Sequence, residues 1–137
     1  MSETNLSTFE GSCHCRGVKF LVKAPESVEV EDCNCSICNK SGFLHLIVPI
    51  AQFELVAGED LLSTYSFNTG VAKHYFCRVC GVKPFYVPRS NPDGMDVNLR
   101  CLERRPAQVK IVAFDGQNWE ANAAALAHKS EARRQDR

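Results

Sequence analysis

Seven of the eight cysteines in this 137-residue sequence occur in short groups, and these groups are its most reactive feature. They are Cys13 and Cys15, Cys33, Cys35 and Cys38, and Cys77 and Cys80. Thiolates one or two residues apart can bind one metal ion together, whereas a disulfide between them would close a very small, strained loop. The spacing therefore favours metal binding over disulfide formation.

The segment "CRVCG", which runs from Cys77 to Gly81, has the form of a zinc knuckle. Two thiolates three positions apart face one ion across a tight turn. Gly81 can take a positive φ, which lets backbone N–H groups turn toward the sulfurs. One knuckle supplies only two of the four ligands that a tetrahedral zinc requires, so a second pair is needed.

Two pairs of cysteines could complete this site. Cys35 and Cys38 would make a zinc ribbon, but the other grouped cysteines would then share no site. The pair Cys13 and Cys15 would instead leave Cys33, with its two near neighbours, as a compact three-thiolate group. We prefer the second division because it uses every grouped cysteine, although spacing alone leaves both open.

The two groups of the preferred division predict different roles. A closed four-thiolate zinc site is structural, whereas three protein ligands and one exchangeable position are typical of a catalytic zinc. A thiol substrate could complete the shell of Cys33, Cys35 and Cys38 as a fourth thiolate and be held there as a nucleophile. Because three ligands hold an ion less firmly than four, we expect partial occupancy of this second zinc site.

The eighth cysteine, Cys101, is a weaker candidate. It lies in phase with Val97 and Leu99 along the chain. This favours the role of a small, buried apolar side chain. The alternative is that Cys101 supplies the fourth ligand of the second zinc, which would close the open position.

The histidines carry less signal than the cysteines. They are His14, His45, His74 and His128. The side chain of His14 should point away from the cysteines on either side of it, and His128 should lie in solvent. His45 could face either the site or the core. None of the four is predicted to act directly in catalysis.

Short segments of alternating apolar and polar residues make up most of the chain. In "VKFLVKA", for example, Val18, Phe20 and Val22 share one face. Glycines and prolines separate these segments. Helix is predicted only as a short turn after Cys38 and as an Ala-rich C-terminal helix with Asn118 as its N-cap. The sequence therefore predicts a mainly β fold with a small antiparallel sheet and a C-terminal helix.

Length and composition predict one domain over residues 1–137, with its core at about residues 9–128 and a polar tail at residues 129–137. The net charge is zero and the basic residues are scattered, so we expect no nucleic-acid partner. No apolar run could cross a bilayer, and the N-terminus lacks the features of a signal peptide. We therefore expect a cytoplasmic protein without a membrane partner.

Four segments carry a resemblance to a known family. They are "GSCHCRGVKF", "CNCSICNK", "HYFCRVCGV" and "FYVPRSNPDG" followed by "CL". In these segments the sequence resembles the glutathione-dependent formaldehyde-activating enzymes, whose domain is shared with centromere protein V. The resemblance runs from about residue 10 to residue 120. The segment "FYVPRSNPDG" is more similar to the centromere protein V branch.

The resemblance implies an Mss4-like β fold with two zinc ions. The first would be bound by Cys13, Cys15, Cys77 and Cys80, and the second by Cys33, Cys35 and Cys38. It also implies a carbon–sulfur lyase acting on an adduct of glutathione, or another thiol, with an aldehyde, such as S-hydroxymethylglutathione. Glutathione has two carboxylates, which makes Lys40 and Arg89 candidate contacts for it. The alternative is a zinc-stabilised binding module without turnover, of the centromere protein V type.

Overall fold

The computed structural model describes residues 5–67, 70, 72–88, 90–118 and 122–130. Within these residues, ten strands and one α-helix are formed. The strands are β1 Ser7–Ser12, β2 Lys19–Ala24, β3 Ser27–Cys33, β4 Leu44–Pro49, β5 Phe53–Ala57, β6 Leu62–Tyr65, β7 Lys73–Cys77, β8 Phe85–Val87, β9 Gly94–Asn98 and β10 Gln108–Phe114. The helix α1 is Ser36–Ser41. Short 3-10 segments are Ile50–Gln52, Glu59–Leu61, Leu99–Cys101, Gly116–Asn118 and Ala123–Lys129. The mainly β prediction is confirmed.

The strands form two sheets. The small sheet has the order β1-β2-β5, and the large sheet has the order β10-β3-β4-β9-β8-β7-β6. Neighbouring strands are antiparallel except β3 and β10, which run parallel. The purely antiparallel expectation is corrected at this edge. The segment before β10 ends beside the start of β3, where Arg104 forms an ion pair with Glu26, so β10 runs in the same direction as β3.

One face of the large sheet is apolar and packs against the small sheet. Leu46 and Phe85 are each paired with Val97 and therefore share its face. Phe20 of β2 and Phe53 of β5 pack against Phe85, with ring centroids 5.5 and 4.8 Å away. The predicted alternation is confirmed, since Phe20 and Val22 of β2, and Val18 just before it, are fully buried in this core. Burying these aromatic side chains supplies much of the hydrophobic stabilisation.

The opposite face of the large sheet is polar and also buried. Register places five residues on it: Glu31 opposite His45, Asp96 opposite Tyr86, and His74 opposite Tyr86. These side chains are only 1–7% exposed. Buried polar groups are costly unless they are hydrogen-bonded, so this face is a candidate for function rather than for packing.

The C-terminal segment covers part of the polar face. The predicted helix is a 3-10 segment, Ala123–Lys129, and the predicted N-cap, Asn118, ends a separate turn, while residues 119–121 lie outside the described residues. Lys129 and Ser130, which the sequence placed in a polar tail, pack on the domain. Lys129 Nζ lies 2.5 Å from Glu31 Oε2, so the Lys129 side chain is held against the sheet rather than free in solvent.

None of the helices in the described ranges is both long and apolar enough to traverse a lipid bilayer.

Candidate metal and thiol site

The first cysteine group joins the loop after β1 to the turn after β7. The sulfurs of Cys13, Cys15, Cys77 and Cys80 all lie within 4.8 Å of one another. Cys15 Sγ is 3.6 Å from Cys13 Sγ and 3.7 Å from Cys77 Sγ. This four-cysteine cluster, as we call it below, could therefore hold a metal ion.

The backbone around the four-cysteine cluster is shaped to face the sulfurs. Gly81 has φ +80°, as the knuckle requires, and Arg16 is the only non-glycine residue with positive φ in the described ranges. Val18 N–H donates to Cys13 Sγ at 3.4 Å. Burial raises the pKa of Cys80, but N–H groups of Val82 and other donors outweigh burial and leave it at about 6. These contacts thus favour the thiolate form of Cys80.

The second group consists of Cys33 at the end of β3, and of Cys35 and Cys38 around the start of α1. Their three sulfurs lie within 4.8 Å of one another, so this three-cysteine cluster could also hold an ion. Helix α1 begins at Ser36, before Cys38, whereas the sequence predicted a helical turn after Cys38, and the C-cap Gly42, with φ +67°, closes the helix. The cluster therefore sits where strand gives way to helix.

Gly116 forms one wall of the three-cysteine cluster. A Cβ on Gly116 would lie 2.3 Å from Cys33 Sγ and 3.0 Å from Cys35 Cβ. The turn that carries Gly116 is fastened by Asn34, whose side chain accepts from Gln117 N–H at 2.9 Å. Glycine is required here because no larger residue leaves room for the sulfurs.

Charge is unevenly shared within the three-cysteine cluster. Hydrogen bonds from Cys33 and then Cys38 lower the pKa of Cys35 to about 2. The pKa of Cys38 is raised, because its thiol is bonded to the sulfurs of Cys33 and Cys35 and because it is buried. In the absence of an ion, the cluster therefore concentrates one negative charge on Cys35.

Among the described residues, no fourth ligand completes the three-cysteine cluster. The ligand atoms that lie together are those of its three cysteines alone. The zinc-ribbon pairing of Cys35 and Cys38 with the knuckle is wrong, because the two groups are separate. Cys101 packs against the apolar core instead, and burial, then the charges of Cys13 and Cys80, raise its pKa to about 12.

His45 adjoins the three-cysteine cluster. Its Nε2 lies 3.1 Å from Cys38 Sγ, and its Nδ1 lies 2.5 Å from Asp96 Oδ2. A carboxylate can only accept, so Nδ1 carries the proton and Nε2 faces the sulfur as an acceptor. His45 thus faces the three-cysteine cluster rather than the apolar core, and His14 and His128 are exposed as expected.

A lysine and two aromatic rings continue this polar face. Lys83 Nζ lies 4.0 Å from the centroid of the Tyr86 ring and 2.7 Å from His74 Nδ1. Burial lowers the pKa of Lys83, and the charges of Cys38 and Asp96 oppose this. The pKa of His74 falls to about 4, first through burial and then through the Lys83 charge. Lys83 therefore lies directly beside His74, which remains neutral near pH 7.

The sequence suggested two basic residues, Lys40 and Arg89, as contacts for the carboxylates of glutathione. Lys40 is exposed in the last turn of α1. Arg89 lies outside the described residues. Lys83 was missed because nothing in "GVKPFYV" distinguishes a half-buried lysine from a solvated one. Asp96 and His45 carried a weak signal, since each is a polar residue within an otherwise apolar strand.

Comparison with known proteins identifies the family. The profile of the glutathione-dependent formaldehyde-activating enzyme family matches residues 8–120. The chain belongs to this family. A Halomonas elongata protein provisionally named as a glutathione-dependent formaldehyde-activating enzyme is 27% identical over 123 residues, covering 80% of this chain and 78% of the relative.

A solved structure shares the fold of this family member. The crystal structure of a Rhodobacter sphaeroides protein matches with a TM-score of 0.67 and 32% identity, covering 75% of this chain and 99% of that one. The β architecture described above is therefore also found in a structure determined by experiment.

Proposed function

We propose that this protein is a zinc-dependent carbon–sulfur lyase that acts on an adduct of glutathione with an aldehyde, such as S-hydroxymethylglutathione. Membership of the family supports glutathione-dependent formaldehyde activation. All eight cysteines are free, which suits a reducing compartment such as the cytoplasm, where glutathione is abundant.

The observation that carries the proposal is the incomplete ligand set of the three-cysteine cluster. Three thiols converge there, and no other histidine, cysteine, aspartate or glutamate among the described residues has a ligand atom within 4.8 Å of all three sulfurs. The four-cysteine cluster is complete without a substrate. A tetrahedral ion at the first cluster would be structural, and one at the second would keep a position for an external thiol.

The sulfur spacing fits zinc. With Zn–S bonds of about 2.3 Å, tetrahedral geometry puts neighbouring sulfurs about 3.8 Å apart. The measured separations of 3.6 and 3.7 Å in the four-cysteine cluster are close to this value. When bound by Cys33, Cys35 and Cys38, zinc would stabilise the thiolate form of a substrate thiol.

His45, supported by Asp96, is placed to accept the proton of Cys38. His45 Nε2 faces Cys38 Sγ, and Asp96 fixes the ring in the tautomer that leaves Nε2 able to accept. His45 can therefore take the proton that Cys38 loses on becoming a thiolate ligand. The carboxylate of Asp96 would then stabilise the positive ring.

In the reaction, the sulfur of glutathione attacks the carbonyl carbon of formaldehyde and forms the C–S bond. The π electrons of the carbonyl move to its oxygen, which gains a proton to give the hydroxymethyl group. The reverse steps release the aldehyde. Because this addition is facile without a catalyst, positioning and thiolate formation are the main contributions that the site must make.

Three basic residues are proposed contacts for the carboxylates of glutathione. Lys40 and Arg89 are proposed from the sequence, and Lys83 is added because it lies on the same face as His45 and Tyr86. A lysine amine that is partly desolvated binds a carboxylate more strongly than a fully solvated one.

Calorimetric titration with glutathione tests the proposal. Zinc-loaded protein should bind one glutathione, and Cys35→Ser should abolish this binding. Cys101→Ser is the matched control, since Cys101 lies outside both clusters, and it should bind as the unsubstituted protein does. Binding that survives Cys35→Ser would exclude the three-cysteine cluster as the thiol site.

A binding module without turnover is the second candidate, and one surface feature favours it. Tyr65 and Phe67 are 50% and 42% exposed, and their rings stack with centroids 5.6 Å apart. Phe67 also stacks on His74, at the edge of the polar face. Exposed aromatic pairs are typical of protein-binding surfaces. This candidate predicts that zinc-loaded protein does not accelerate adduct formation over buffer.

A further inference from the structure

A small cavity lies on the polar face of the large sheet, next to the three-cysteine cluster. Its volume is about 40 Å³, and its wall includes Cys33, Glu31, His45, Tyr86 and Asp96. The rest of its wall is formed by the apolar side chains of Ile47, Pro88, Phe114 and Leu126 and by the polar side chain of Ser90. Because Cys33 lines the cavity and also belongs to the three-cysteine cluster, the cavity adjoins the candidate thiol site.

Two carboxylate oxygens on this wall have no hydrogen-bond partner within the described part of the chain. They are Glu31 Oε1 and Asp96 Oδ1. The other oxygen of each group is bound, to Lys129 Nζ and to His45 Nδ1 respectively. The residues are only 3% and 1% exposed. A buried acceptor without a donor is costly, so an arrangement with two of them points to a ligand that donates.

The size and charge of the cavity restrict what this ligand can be. A volume of about 40 Å³ accommodates a group of two or three heavy atoms. The two acids would repel an anion. The ligand must therefore be small, neutral and able to donate hydrogen bonds, which describes a hydroxyl group on a one-carbon unit.

We propose that this cavity is the subsite for the hydroxymethyl group of the adduct, whose single O–H donates to Glu31 Oε1. This inference rests on the proposed function, because it places the adduct sulfur at the three-cysteine cluster. The subsite predicts a preference for one-carbon aldehydes, because Leu126 and its neighbours line a space of only about 40 Å³.

A purely structural role for Glu31 does not account for this arrangement. An ion pair with Lys129 requires one carboxylate oxygen, and Oε2 supplies it. It does not require a second acid on the same cavity wall, Asp96, one of whose oxygens also has no partner. Buried ion pairs also add little net stability compared with apolar packing.

Glu31→Gln tests the subsite. Lys129 should bind the amide oxygen, which leaves an N–H donor where the cavity now has an acceptor. The rate of exchange between formaldehyde and S-hydroxymethylglutathione, measured by NMR, should show a KM for formaldehyde raised about tenfold. The Kd of glutathione alone should not change. Glu29→Gln is the matched control, since Glu29 is exposed on the same strand and also approaches Lys129, at 4.0 Å.

The outcomes separate this inference from the proposed function. If the unsubstituted protein neither binds glutathione nor accelerates exchange, the proposed function fails and the subsite fails with it. If it does both, but Glu31→Gln and Glu29→Gln have the same KM for formaldehyde, only the subsite is overturned.

A second variant keeps the inference testable if Glu31→Gln does not fold. Leu126 is half-buried at the cavity wall, so truncation to alanine enlarges the cavity without removing a core residue. Leu126→Ala should raise kcat/KM for acetaldehyde relative to formaldehyde by about tenfold. An unchanged ratio would show that the cavity does not hold the carbon chain of the aldehyde.

Discussion

The two cysteine clusters occupy opposite faces of the same sheet and differ in their surroundings. The four-cysteine cluster belongs to the apolar core, and it joins chain segments 62 residues apart. The three-cysteine cluster is local in sequence and lies on the polar face, against His45 and Asp96. A distant cross-link among apolar side chains suits stability, whereas a local cluster beside buried acids and a histidine suits chemistry.

The comparison explains how a small domain can hold two similar groups of thiols for different purposes. Both clusters consist of cysteines, so they differ in connectivity and environment rather than in residue type. If this is right, substitutions in the two clusters should have effects of different kinds, and the buried polar face should respond to pH in ways that the apolar face does not.

The largest effect is expected from Cys77→Ser. Zinc bound by four thiolates contributes on the order of 10 kcal/mol to folding, which is comparable to the whole stability of a domain of this size. Cys77→Ser should therefore unfold or aggregate, as judged by circular dichroism and size-exclusion chromatography. Cys38→Ser should remain folded and lose activity. Equal collapse of both variants would show that the two clusters do not divide structure from function.

Gly116→Ala should damage the three-cysteine cluster alone. The new Cβ would lie 2.3 Å from Cys33 Sγ, so this sulfur must move. We expect the zinc content to fall from two ions per chain to one, with at most about 1–3 kcal/mol lost from the free energy of unfolding. Elemental analysis and denaturant titration measure the two quantities. Two ions retained in Gly116→Ala would mean that Cys33 is not needed as a ligand.

A chelator should distinguish the clusters kinetically. Three ligands and an exchangeable position release an ion more readily than four, so one ion should leave at least about tenfold faster than the other. Release can be followed with a colorimetric zinc indicator. Saturating glutathione should slow the fast phase, because it completes the shell. A single phase accounting for both ions would contradict the proposed difference.

The smallest effect concerns pH and the neutral histidine of the polar face. The pKa of His74 is about 4 in the folded protein and about 6.5 when unfolded, so the unfolded chain binds more protons between these values. The contribution of His74 to the free energy of unfolding is fully present above about pH 6.5 and is lost as the pH falls toward 4. Between pH 7 and pH 5, the unsubstituted protein should lose about 1–2 kcal/mol more than His74→Gln does. Urea titrations at both pH values measure this difference, and an equal loss would mean that His74 is not buried and neutral.

The division of the cysteines could be predicted from sequence because ligand spacing is local. Each short group fixes the distances between its own sulfurs. The pairing of Cys13 and Cys15 with Cys77 and Cys80 is then favoured over the zinc ribbon, because it leaves no grouped cysteine without a site. Gly81 was also predictable, since a tight turn between two ligands demands a positive φ. The strand segments followed from alternation of period two, which reports which residues share a face.

The polar face could not be predicted, because it depends on which strands are neighbours. Glu31 and Asp96 are far apart in sequence, and they come together only because β4 lies between β3 and β9. The sequence contains no signal for that order. The parallel pairing of β10 with β3 was missed for the same reason. Lys83 was not singled out from the sequence, because only the fold brings it beside His74 and Tyr86.

The most direct test is the spectrum of the cobalt-substituted protein during addition of glutathione. Cobalt at both clusters reports each bound thiolate through sulfur-to-metal charge-transfer absorption. Glutathione should increase this absorption by the contribution of one thiolate, while S-methylglutathione, which has no free thiol, and the Cys35→Ser variant should show no increase. An unchanged spectrum with glutathione would contradict the claim that the three-cysteine cluster accepts a substrate thiol as its fourth ligand.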